Sequence, residues 1–282
     1  MALYKITARK EIAPDIVSLE VSAPLIARKA EAGQFVILRV DEKGERIPIT
    51  IAWADDQDGT IRLIFEVLGK TTKRLAGLKE GDSILNLVGP LGKAIESKKY
   101  GKVICVGGGV GAAPLYPIVS ALRKAGNEVV SIIGARTKEL LILEDEIRAR
   151  SDGFYVTTDD GSKGRHGFVT DVLQSLLEMD KSFNLVVAIG PVPMMKAVSN
   201  LTRAYGVRTL VSLNPIMLDG MGMCGACRVT VGGKTKFTCV DGPMFDGHKV
   251  NFDELAARRE RFLDEEKRAL KAYEHKGGAC RV

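Results

Sequence analysis

The chain has 282 residues, 45% of them hydrophobic and 27% charged, a balance that excludes a disordered chain and is enough for two separately cored domains. Lys and Arg exceed Asp and Glu by 41 to 35, a net charge of +6 that is spread along the chain without a basic block or interleaved aromatics. This pattern argues against nucleic-acid binding and leaves room for an acidic protein partner.

The opening residues MALYKITARKEIAPD alternate polar and apolar side chains and contain no long apolar run. Neither a membrane span nor a secretory leader is expected, and the expected compartment is the cytoplasm. From Leu3 to about Leu91 the runs YKITARKEIA, IVSLEVSAP, GQFVILRV, IPITIAWA, TIRLIFEVL and DSILNLVGP are separated by Gly, Asp and Pro. Short, regularly punctuated runs of this kind predict an antiparallel β-barrel over residues 1–97. Asp55 to Gly59 predicts a hairpin loop within it. Arg46, Pro48, Ile49 and Thr50, followed by Gly69, Lys70, Thr71 and Thr72, offer a cation, hydroxyls and backbone N–H groups to an anionic ligand.

The pattern changes at Tyr100. KVICVGG, EVVSIIGA, GFYVTTDD, NLVVAIG and VRTLVSL are apolar strands, with PLYPIVSALRKAG as a helix after the first. Alternation of this kind predicts an α/β domain with a mostly parallel sheet over residues 98–213. Gly107, Gly108, Gly109, Val110 and Gly111 follow the first strand and precede its helix, so a diphosphate can approach backbone N–H groups at the positive helix end. A second turn with Gly190, Pro191 and Met194 follows the strand NLVVAIG, and the two turns together can line one dinucleotide crevice. Glu144, Asp145 and Glu146 are read as partners of a helix dipole, with ribose contact as the alternative.

Residues 214–250 carry the densest chemistry. Of five cysteines, three fall in Asp219-x4-Cys224-x2-Cys227-x11-Cys239, the spacing of a plant-type [2Fe–2S] loop with aspartate in the first position. Soft thiolates suit such a cluster, and Gly220, Gly222 and Gly225 supply backbone freedom around it. Two alternatives stand beside this reading. Asp219 is a turn residue and Cys280 completes the site, or the four residues hold structural zinc. Met217, Met221 and Met223 are expected to pack around the loop and limit water. Cys105, in VICVGG, reads as a core thiol. With a nicotinamide domain and a cluster in the same chain, the anion-binding residues of the barrel suggest FAD. Residues 251–282 form a charged tail, in which Phe252, Leu255, Phe262, Leu263 and Leu270 predict one helix, capped by Asn251 with Glu254. It packs one face on its own domain or docks a partner.

The order of barrel, GGGVGAAP turn, IGPVPMM turn and D-x4-C-x2-C-x11-C loop resembles the ferredoxin-NADP reductase superfamily over the whole chain. Within it the chain is similar to two groups, the electron-transfer subunits of dihydroorotate dehydrogenase and the small (alpha) subunits of the electron-bifurcating NADH-dependent reduced ferredoxin:NADP oxidoreductase. The first group usually has four cysteines in the loop. Asp219, with RIPITIA and GKTTK, is more similar to the second. The resemblance implies FAD in the barrel, with Thr50 beside the flavin N5 and Gly69 to Thr72 near its diphosphate. It implies NAD(H) as substrate on Gly107 to Gly111 and Gly190 to Met194. It also implies a larger flavoprotein partner with its own FAD and [4Fe–4S] clusters, through which ferredoxin reacts. The superfamily's R-x-Y-[ST] pattern is not met. Pro48 and Ile49 leave no stacking tyrosine, and Arg46 stands one place early. A zinc-stabilised nucleotide-binding regulatory module is the alternative of a different class.

Overall fold

The computed structural model of the protein describes residues 4–275. Period-2 alternation buries Leu19, Val21, Ile61 and Leu63 on the inner face of neighbouring strands. The strands β1 (Tyr4–Ala13), β2 (Ile16–Ser22), β3 (Phe35–Arg39), β4 (Ile47–Asp55), β5 (Thr60–Glu66), β6 (Ser83–Ile84) and β7 (Asn86–Leu91) form an antiparallel sheet of order β6-β1-β2-β5-β4-β3-β7. Two short helices, α1 (Pro24–Ala27) and α2 (Lys70–Ala76), lie between strands. DSILNLVGP reads as one strand but is two. It breaks at Leu85, whose amide donates to the Val40 carbonyl at 3.1 Å. The two halves pair with β1 and β3, the opposite edges of the sheet, and so close it.

The second sheet begins in its own middle. β8 (Lys102–Gly108) is buried over almost its whole length, as a strand covered on both faces must be. The helix α3 (Ala112–Lys124) then buries a stripe of Ala112, Leu115, Ile118, Val119 and Leu122 against it. The chain moves outward through β9 (Glu128–Ala135), α4 (Glu144–Arg148), β10 (Gly153–Thr158) and β11 (Arg165–His166). It returns through α5 (Val169–Met179) to β12 (Phe183–Ile189) on the other side of β8, and continues through α6 (Val192–Ala204) to β13 (Arg208–Ser212). The reversal of strand order therefore falls between β8 and β12, the switch point at which such sheets bind ligands.

The remaining chain is fastened to both units. A hairpin of β14 (Arg228–Val231) and β15 (Lys234–Phe237) turns at Gly232-Gly233 and leads through α7 (Thr238–Asp241). The next segment, β16 (Met244–Asp246), pairs antiparallel with β13 as the last strand of the second sheet, a pairing with no alternation long enough to signal it. The tail is not one helix. α8 (Phe252–Arg259) is capped by the Asn251 side chain, which accepts from the Glu254 amide at 3.1 Å, and it is separated from α9 (Leu263–His275) by a turn of 3₁₀ helix. Phe252 and Leu255 are buried, whereas Phe262 and Leu263 are exposed. The chain turns away where its apolar stripe no longer meets the sheet domain, and Glu274 reaches Lys73 of α2 at 2.5 Å.

One core cluster crosses the two units, with Ala52 and Ile64 of the barrel packed among Ala112, Leu115 and Ile118 of α3. Cys105 lies fully buried in it, and burial pushes its thiol up to about 12. Among the described residues no helix is long and apolar enough to cross a membrane. Leu255→Ala should cost about 2–5 kcal/mol and Phe262→Ala less than about 0.5 kcal/mol in denaturant titration. Equal losses would refute this placement of the tail.

Candidate functional site

The carboxyl ends of β8 and β12 lie side by side, with Gly107 opposite Ile189. The turns that follow are pressed together. A Cβ on Gly111 would stand 2.3 Å from the Ile189 carbonyl oxygen, so a side chain there would force the turns apart. Met194 fills the space between Gly108 and Gly190, and an added Cβ on either would meet its sulfur or methyl group within 3 Å. Gly109 to Gly111, with Val110 between them, form a single 3₁₀ turn that feeds α3.

These turns face the barrel across a cleft of about 900 Å3. Pro48, Ile49, Thr50 and Thr72 line it from the barrel, and Gly108 to Gly111, Gly190, Pro191 and Met194 line it from the sheet. Gly107 lies beneath, against Leu115. Leu68 and Phe168 are large apolar side chains left exposed on its walls. An apolar crevice with backbone amides at a helix start suits a ring system joined to a diphosphate.

Other expected residues are not in the cleft. Arg46 is exposed and outside it. Lys70 and Thr71 are turned to Glu45, with Lys70 Nζ 2.8 Å and the Thr71 hydroxyl 2.5 Å from its carboxylate. Burial works against the charge on Glu45, but these two partners outweigh it and hold its carboxyl below the usual range. Gly69 begins α2, and the Thr72 hydroxyl accepts from the Leu68 and Gly69 amides at 3.0 Å each. Glu144 pairs with Arg148 and Lys163 instead of facing the cleft, as a dipole partner would.

The charged residues that do line the cleft are Glu66, Arg136, Asp159 and Arg259. Arg136 is legible as the residue after a strand end. Arg259 carries no such signal, because it lies in the last turn of a tail helix, where a basic residue reads as a dipole complement.

The cysteine segment is backed by a small core of Phe35, Ile37, Met217, Cys227 and Cys239, in which barrel and cluster segment share side chains. Gly220 has φ +75° and rests on Ile37 and Leu91, where a Cβ would come within 2.7 Å of each. Cys227 and Cys239 are buried with their sulfurs 3.2 Å apart. Burial first, then the neighbouring Cys227, pushes the Cys239 thiol up, while the Gly222 amide donates to it. Cys224 is exposed, and its amide donates to Asp219 at 2.7 Å.

The Asp219 carboxylate also accepts from the Met221 and Met223 amides at 2.9 and 3.1 Å. These bonds, Met221 first, hold its carboxyl below the usual range against the opposing effect of burial. Among the described residues no three of these donors converge as a metal-binding group. They stand as two pairs, Asp219 with Cys224 and Cys227 with Cys239, and each iron of a two-iron cluster takes two protein ligands. The Thr238 hydroxyl, fully buried beside Cys239, has no hydrogen-bond partner among the described residues, and the sulfur of a cluster would supply one. The residues present therefore fit the group. Of the three methionines only Met217 packs here. Met221 and Met223 are 55% and 83% exposed, because the loop tip projects beyond the core, so they do not shield it as expected. Cys280 lies outside the described residues.

Residues 214–251 match the family described as the iron–sulfur cluster binding domain of dihydroorotate dehydrogenase B, and residues 105–200 match the oxidoreductase NAD-binding domain. The dihydroorotate dehydrogenase B (NAD(+)) electron transfer subunit homolog of Thermotoga maritima is 49% identical over 94% of each chain. An uncharacterized protein in the adh 3' region of Clostridium beijerinckii is 47% identical over 99% of this chain and 98% of its own. Among solved structures, a chain of the NADH-dependent reduced ferredoxin-NADP oxidoreductase is 47% identical over 97% of this chain and 98% of its own, with a TM-score of 0.91. The chain belongs to the family of dihydroorotate dehydrogenase B electron-transfer subunits and their homologues, an oxidoreductase family with the ferredoxin-NADP reductase-like fold.

Gly111→Val should part the two turns, cost about 1–3 kcal/mol and weaken NADH binding at least tenfold in calorimetric titration. Unchanged affinity would show that the contact between the turns does not shape the site.

Proposed function

We propose that this chain is the NAD(H)-reactive electron-transfer subunit of an NADH-dependent reduced ferredoxin:NADP oxidoreductase, with FAD in the barrel and a [2Fe–2S] cluster on Asp219, Cys224, Cys227 and Cys239. One observation carries the reading: a single cleft joins β4, both glycine turns and Met217 of the cysteine segment. Met217 and Phe35 line that cleft and also pack with Cys227 and Cys239, so the nucleotide site and the cysteine site share these two side chains as a wall.

FAD, when bound, supplies the conversion between a two-electron hydride exchange and one-electron transfer. The protein's own groups position and exclude. Pro48, Ile49 and Thr50 line the cleft from the barrel and would hold the ring system, with Thr50 offering its hydroxyl to it. Thr72 and the neighbouring Gly69 would hold the flavin diphosphate, with Lys70 and Thr71 beside them on α2 and paired to Glu45. Gly107 to Gly111, with Gly190, Pro191 and Met194, hold NAD(H) by backbone approach and by the start of α3. Ile49, Ile64 and Leu68 keep water from the reacting atoms. Hydride exchange requires no general acid or base, and none of the three histidines lines the cleft.

The Asp219 carboxylate has about four lone-pair positions, of which three amides take three, so one remains for a metal while the loop stays tied. We read Asp219 as both turn residue and fourth ligand. The partner is a larger flavoprotein subunit with its own FAD and [4Fe–4S] clusters, which reacts with ferredoxin. The exposed Met221, Met223 and Cys224 support such a contact. Cysteines left free in the described residues suit the cytoplasm. The dihydroorotate dehydrogenase subunit is the second reading, favoured by the family match of residues 214–251.

Anaerobic purification should yield FAD and about two iron and two sulfide per chain. Zinc without flavin would sink the proposal, and a dihydroorotate-oxidising partner would select the second reading. Asp219→Cys and Asp219→Ala should each change the EPR spectrum or the potential of the cluster. A spectrum and potential unmoved by both removes Asp219 from the ligand set.

A further inference from the structure

The strand that should offer a cation to the flavin diphosphate offers none. Arg46 stands outside the cleft, and the charge of Lys70 is held by Glu45. Among the described residues that line the cleft, the cations are Arg136 and Arg259, set against the carboxylates of Glu66 and Asp159. Two dinucleotides would bring two diphosphates into a cleft whose lining charges otherwise cancel. A diphosphate in a partly dry site is held best by a guanidinium, whose planar fork gives paired, charge-assisted hydrogen bonds.

The end of α8 is fastened so as to present one. Phe252 and Leu255 are buried, and Asp253 pairs with Lys196 of α6 at 2.6 Å. Arg258 donates to the Ala226 carbonyl, inside the cysteine loop, at 3.1 Å. These contacts fix the backbone of the next residue. Arg259 lines the cleft, and among the described residues its guanidinium has no hydrogen bond or ion pair. The salt bridge to α6 ties it to the helix that starts at the Pro191 turn. Of the neighbouring cations on the tail and α6, Lys196, Arg258 and Arg268 are partnered, and Arg261, which has no such partner among the described residues, does not line the cleft. Arg136 also lines the cleft without a side-chain partner among the described residues, but it comes from the sheet domain and not from the tail.

We propose that Arg259 is the cation that binds a dinucleotide diphosphate in the cleft, delivered from the tail in place of the arginine that the barrel lacks. This assignment rests on the reading of the cleft as a site for FAD and NAD(H). Arg259 acts as a binding residue, while Arg258 beside it ties the same helix end to the cysteine loop.

The test uses the full-length holoprotein as wild type, Arg259→Gln, Arg259→Lys and, as control, Arg261→Gln, whose side chain does not line the cleft. Two affinities are measured: FAD by reconstitution of deflavinated protein, and NADH by calorimetric titration. Arg259→Gln should weaken one of them on the order of tenfold, with Arg259→Lys restoring most of the loss and Arg261→Gln near wild type. Loss in the flavin arm assigns Arg259 to the FAD diphosphate, and loss in the NADH arm to that of NAD(H). Both arms unchanged, or an equal loss in Arg261→Gln, overturns the proposal. A wild-type protein that takes up neither FAD nor NADH overturns the functional reading itself, and this one with it.

Discussion

The close approach of the Gly111 backbone to the Ile189 carbonyl governs the site. Parallel strands β8 and β12 are neighbours, and the turns leaving them must pass at the same edge. With no side chain at 111 the turns touch, and Met194 locks Gly108 to Gly190. Gly109 and Val110, in the turn that feeds α3, then border the open cleft, where a phosphate can approach the backbone at the positive helix end. Everything that faces the turns across the cleft, from Pro48 to Thr72, gains its meaning from that edge.

A second dependence runs through the shared cores. Barrel residues Ala52 and Ile64 pack with α3, and barrel residues Phe35 and Ile37 pack with Met217, Cys227 and Cys239. β16 and the pairing of Asp253 with Lys196 fasten the cysteine segment and tail to the sheet domain. Three stretches of chain that read as separate units are thus held at fixed distance by apolar contact. Electron transfer between cofactors needs such fixed distance more than it needs any reactive side chain.

Two carboxylates show how local polar contacts modify a motif. Asp219 occupies a ligand position in the spacing, yet in the structure it also organises the loop by accepting three amides. Glu45 draws Lys70 and Thr71 away from the place that their position on α2 suggests. In each case the side chain satisfies the nearest donors, and proximity in space decides which those are.

The amino-acid sequence by itself determined the local matters. Alternation with turn residues marked the barrel strands, the apolar runs marked β8, β9, β10, β12 and β13, and the cysteine spacing marked the segment that matches the iron–sulfur family. These signals are legible because strand period, turn conformation and ligand spacing are properties of neighbouring residues. Only the tertiary structure decided which distant groups meet. The split at Leu85, the pairing of β16, the break between α8 and α9, the withdrawal of Lys70 to Glu45 and the arrival of Arg259 in the cleft all join residues far apart in the chain. No local periodicity records such contacts, because burial and charge pairing depend on where the chain has been folded to, and that is settled by the packing of the whole.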